Sequence, residues 1–140
     1  MRRQVLALLL ALPLAAAHAQ GAAPADCPKA ADVTPRHLVG LWRAEFADGG
    51  AGATLLLEPH KEYAQSLSGE INRNGEKSRV AADLEDGAFT LEESADGRRI
   101  SATWLGDLVE GSCGREIRGQ WKPEGGGQER NFVLRRVQGW

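Results

Sequence analysis

Few residues in this chain carry reactive chemistry, and their spacing decides what they can do. His37 and His60 are the histidines of its main part, with Glu58 and Glu62 beside the second. A zinc site needs ligands at short, defined spacings, and these two histidines have none, so no metal is expected. General acid–base catalysis needs carboxyl groups that converge in a pocket. Glu45, Glu58, Glu70, Asp83, Glu85 and Glu92 instead fall at alternating positions that read as a solvated surface. Arg73 and the Arg98-Arg99 pair sit in or beside turns, where they could steer an anion but ordinarily face solvent. No catalytic residue and no cofactor is expected, and the chain does not read as an enzyme.

The elements that carry these residues begin after an N-terminal leader. Met1-Arg2-Arg3, an apolar run from Val5 to Ala17 and the small-x-small ending Ala17-His18-Ala19 read as a secretory signal peptide over 1–19. The apolar run is too short to span a bilayer as a helix, so no transmembrane segment is expected after cleavage, and the destination is periplasmic or secreted. Residues 20–33, rich in Ala and Pro, read as an N-terminal arm, and 34–140 as one domain. Removing Arg2 and Arg3 from the 17 basic residues leaves 15 against 19 acidic ones. A net charge of about −4 without a basic stripe excludes nucleic acid as a partner. In an exported chain the two cysteines, Cys27 and Cys113, pair most simply as one disulfide.

Thr34-Pro35 reads as a cap followed by proline in the first helical position, giving a short helical turn to Leu38. From there the period is two, the pattern of half-buried antiparallel strands. Eight segments follow: 39–46, 53–58, 63–71, 77–85, 88–93, 99–105, 115–122 and 129–137. Turn signals separate them, including Asp48 to Gly52, Asn74-Gly75, Asp86-Gly87, Asp96-Gly97 and Pro123 to Gly127. The parity places Tyr63, Leu67 and Ile71 inward on the third strand and Ile100, Ala102 and Trp104 inward on the sixth. Eight strands in simple order with short connections predict an all-β fold, an eight-stranded antiparallel up-and-down β-barrel, because closure removes both edges.

Counting ends tests this order. In a meander the segment before strand one and the connections after strands two, four and six lie at one end. Cys27 and Cys113 therefore meet there, and Arg135 and Arg136 finish strand eight beside Trp42, where a guanidinium stacked on the indole is expected. Trp104 is expected to run toward the same closed end. No histidine falls at the other end, which carries the glycine-rich turns, so a serine there has no base to activate it. Charged outward positions such as Arg43, Glu45, Glu70 and Arg79 speak against a lipid-facing barrel.

Gly40, Leu41 and Trp42 at the first strand, with Arg135 or Arg136 near the end of the last, resemble the calycins, the lipocalin and avidin group of exported barrels. The resemblance implies that Trp42, Arg135 and Arg136 close the barrel floor and that the opposite mouth admits a small apolar ligand. Gly119-Gln120-Trp121 with Trp104 is similar to the later avidin strands, but the polar residues of a biotin site are missing from strand one. Periplasmic protease inhibitors use small barrels of this general kind as well.

Phe46, Leu67, Phe89, Leu91, Ile100 and Trp121 are the candidate ligand-binding residues, with Ala44, Gly69, Ala82, Ala102 and Gly119 leaving room among them. An eight-stranded barrel either fills its interior with such side chains or holds one small ligand. Two roles follow. One is a small-ligand-binding protein for an apolar or amphipathic molecule. The other is a protein-interaction module, such as a protease inhibitor or an accessory subunit of an envelope enzyme, acting through the arm 20–32 or the glycine-rich loops.

Overall fold

The computed structural model describes residues 27–139. The proposed leader, the arm up to residue 26 and Trp140 lie outside the described residues. Eight strands close into a barrel in sequence order, every neighbour antiparallel. They are β1 (Gly40–Phe46), β2 (Ala53–Pro59), β3 (Ser66–Arg73), β4 (Glu76–Glu85), β5 (Ala88–Ser94), β6 (Ala102–Leu108), β7 (Glu116–Pro123) and β8 (Arg130–Arg136). The expected all-β up-and-down barrel is therefore present, and it is compatible with a calycin-like fold. Register carries Trp42 to Leu55, Ile71 and Ser78. Continuing with the offsets of the remaining pairs returns to the line of β1 about ten residues along, so the strands tilt steeply around the axis.

The hairpin turns follow from their residues. Asn74 and Gly75 both have positive φ (50° and 91°), as do Asp86 and Gly87 (49° and 86°), the backbone that two-residue hairpins need to match strand twist. Short helix α1 (Pro35–Leu38) begins where Thr34-Pro35 predicts it. Its last residue, Leu38, is fully buried and plugs one end of the barrel. The Trp42 indole N–H donates to the Leu38 carbonyl at 2.9 Å, which satisfies a buried donor and fixes the plug. Cys27 and Cys113 are joined beside it, as the count of ends requires.

Side chains fill the interior. Trp42, Ala44, Leu57, Leu91, Ile117 and Leu134 have no accessible surface at all. A side chain with none touches no space the size of a water molecule, whether outside the barrel or within it. Two of the small residues sit where strands approach closely. A Cβ on Gly69 would lie 1.8 Å from the Leu56 carbonyl oxygen, and one on Gly119 would lie 1.9 Å from that of Leu105. These glycines let neighbouring backbones approach where the strands coil.

Two strands begin later than the alternation suggests. Tyr63 is 63% exposed in the turn before β3, and Ile100 is 40% exposed in the turn before β6. Asp96 accepts the backbone N–H groups of Arg98 and Arg99 at 2.8 Å, and the Ser101 hydroxyl accepts that of Ala95. Those side-chain bonds hold 95–101 as a loop in place of strand.

The disulfide ties the segment before α1 to the β6–β7 connection across 86 residues of sequence. Chain-entropy reasoning gives about 4.6 kcal/mol for a loop of this size. Thiol titration of the denatured protein is expected to find no free thiol until reductant is added, and reduction is expected to lower the unfolding midpoint by a corresponding amount. Two titratable thiols without reductant would contradict the closure.

Candidate functional site

On β5 the inward parity runs through Phe89 and Leu91 to Glu93, and it places a carboxylate inside the barrel near the glycine-rich end. Glu93 is 3% exposed, the one buried charged residue among those described. Three other strands supply its partners. Arg73, the last residue of β3, forms a two-pronged ion pair with it, its Nη1 bonding Oε1 and its Nη2 bonding Oε2 at 2.7 Å. The indole N–H groups of Trp104 on β6 and Trp121 on β7, cross-strand partners in the register, donate to Oε2 at 3.1 and 3.4 Å. Behind Glu93, the Ser101 N–H and hydroxyl both donate to its backbone carbonyl, which fixes the end of β5.

The charge balance follows from these contacts. Burial alone raises the Glu93 carboxyl's pKa, but the Arg73 guanidinium and the two indoles outweigh it and hold the carboxyl below its ordinary value. Three of the four N–H donors fall on Oε2 and one on Oε1, so the carboxylate anchors β3, β6 and β7 to β5.

A second ion pair completes the rim. Arg130 of β8 donates from Nε to Asp48 Oδ2 at 2.6 Å and from Nη2 to Oδ1 at 2.9 Å. Its guanidinium lies 3.7 Å from the Phe46 ring centre and 5.9 Å from that of Trp121. The Arg130 bonds, with help from the Gly50 N–H, push the Asp48 carboxyl down to about 2. Arg73 sits 5.8 Å from the rings of both Trp104 and Trp121, so two guanidinium groups flank a half-buried indole at the mouth. Phe46 packs on Trp104 (5.6 Å between centres) and edge-on to Trp121 (6.2 Å).

Of the candidate ligand-binding residues, Phe46, Leu67, Phe89 and Leu91 point into the packed interior. Phe46 and Trp121 meet at the mouth, whereas Leu67 and Phe89 lie toward the opposite end, opposite Pro59 and Gly106. Ile100 is outside the barrel. Trp104 belongs to the mouth, since β6 starts at Ala102, so its expected place at the closed end is corrected. At that closed end Trp42 lies as expected, but no guanidinium stacks on it among the described residues. Arg136 points in and bonds the His37 and Val39 carbonyls, while Arg135 points out to Glu45 and Glu116 at 2.9 and 3.0 Å. Adjacent strand residues face opposite ways, so only one of the two can seal the floor. His37 and His60 form no cluster with other ligand types among the described residues.

Glu93 was not among the candidates, although its parity with Phe89 and Leu91 marks it in the sequence. Its low-lying carboxyl pKa gives the site a pH dependence. A carboxyl depressed on folding stabilises fully above its unfolded value near 4.5, and the contribution disappears as pH falls through the folded value. Glu93→Gln is expected to cost about 3 kcal/mol at neutral pH and to flatten the acid limb of a stability–pH profile followed by denaturant unfolding. An acid limb of wild-type steepness in Glu93→Gln would show that the pair does not close the mouth.

Compared with known proteins, the chain matches no family model and no curated sequence.

Proposed function

We propose that this chain is an exported protein-interaction module, such as an inhibitor of a periplasmic protease or an accessory subunit of an envelope enzyme. The observation that carries this reading is the filled barrel: the innermost side chains have no accessible surface, and ion pairs occupy the mouth. A small-ligand carrier of the lipocalin or avidin type would have to expel both. What remains for recognition is the outside of the barrel, its loops and the arm. The Cys27–Cys113 disulfide and the leader-like start agree with an oxidising compartment outside the cytoplasm. A barrel of this order hosts many roles, so the fold itself carries no part of the proposal.

Titration of the mature protein with fatty acids, haem-like compounds and biotin, followed by tryptophan fluorescence, is expected to give no saturable shift. The same protein added to an envelope extract is expected to form a stoichiometric complex with an envelope enzyme and to change its rate. A saturable shift that Trp121→Ala abolishes with the fold intact would overturn the module reading in favour of a carrier.

A further inference from the structure

At the closed end, Arg115, Arg136 and His37, with Gly114 and the backbone of 137–139, line a cleft of about 370 Å³. Among the described residues no carboxylate lines it. Arg73, Arg118, Arg130 and Arg135 each hold a carboxylate within 3.3 Å, whereas Arg115 and Arg136, like Arg36, Arg43, Arg79, Arg98 and Arg99, hold none among the described residues. The two arginines are locked side by side, because the Arg136 N–H donates to the Arg115 carbonyl at 3.0 Å.

Arg136 is half-buried, and its terminal nitrogens donate to the His37 and Val39 carbonyls. Those bonds satisfy donors without neutralising the charge. The missing side chain of Gly40 makes this reach possible, since a Cβ there would lie 2.8 Å from Arg136 Nη2. The His37 Nδ1 accepts the Thr34 N–H at 2.8 Å, so the proton of the neutral ring sits on Nε2. The cleft thus gathers two guanidinium groups and an imidazole donor, with no acid to offset them among the described residues. Planar guanidinium groups match a carboxylate in charge and geometry, and a cluster of like charge gains from an anion.

We propose that this cleft is a carboxylate-binding site that takes an acidic side chain of the partner protein. Its carboxylate chemistry stands on the cleft alone, and only the source of the carboxylate rests on the interaction-module reading.

The test is a titration of the oxidised mature protein with succinate, inorganic phosphate and a glutamate-rich peptide at constant ionic strength, read by backbone amide and histidine ring NMR shifts. Saturable shifts at Gly114, Arg115, Gly139 and His37 are expected, with the peptide binding more tightly than succinate. Arg115 is exposed, so Arg115→Gln should keep the unfolding temperature and weaken carboxylate binding about tenfold or more. Shifts that do not saturate into the tens of millimolar, affinity unchanged in Arg115→Gln, or phosphate bound more tightly than both carboxylates would overturn the assignment. Carboxylate binding in a protein that captures no envelope enzyme would instead sink the module reading and leave the site standing.

Discussion

The mouth of this barrel depends on one buried carboxylate. Glu93 draws donors from β3, β6 and β7 onto β5, so a single side chain couples four of the eight strands at the end where the loops are long and rich in glycine. Taking a carboxylate out of water is costly, and the cost is met only when the charge is paired and its lone pairs are occupied. Here the charge is paired and both oxygens accept hydrogen bonds, one on Oε1 and three on Oε2. Four N–H groups converge on it, and the partner guanidinium keeps a 27% exposed flank that retains some hydration. The indole orientations follow from the same constraint. Trp104 and Trp121 each carry one polar atom that must be satisfied, and both meet that need on the same oxygen.

The two ends solve the closure problem with different chemistry. At the floor, Leu38 and Trp42 seal the barrel with apolar bulk and one indole-to-carbonyl bond, and a disulfide holds the entering chain in place. At the mouth no helix is available as a plug. The seal is made from Arg73–Glu93 and Arg130–Asp48, with Phe46, Trp104 and Trp121 packed against the guanidinium faces. An apolar seal does not respond to pH, whereas the ionic one weakens in acid.

Much of this arrangement was legible in the sequence. Strict alternation, turn residues with a mechanism and the parity count gave eight strands, a closed barrel and both cysteines at one end. The misplacements have a common cause. A period of two says which residues share a face but not where a strand begins, so Ile100 and Tyr63 kept the right parity in segments that side-chain bonds or turn geometry hold as loop. Parity could also have separated Arg136 from Arg135, since Phe132 and Leu134 share a face with Arg136. Glu93 was passed over because a charge on an inward parity reads as surface unless a distant partner is known. Its partners, at positions 73, 104 and 121, are brought together by the tilt of the strands and by no local spacing.

That tilt also separates what the fold fixes from what it leaves open. Strong coiling draws backbones together at Gly69 and Gly119, and aromatic and aliphatic side chains pack the interior. Once the interior is full, changes there cost packing energy and alter no surface. The outer residues and loops are free of that cost. Charge then becomes the informative variable at the surface. Arginines that maintain the barrel have carboxylates beside them, as Arg73 and Arg130 do. A half-buried arginine held by carbonyls alone keeps the floor together while leaving its field unspent, and that field is available to an anion arriving from outside.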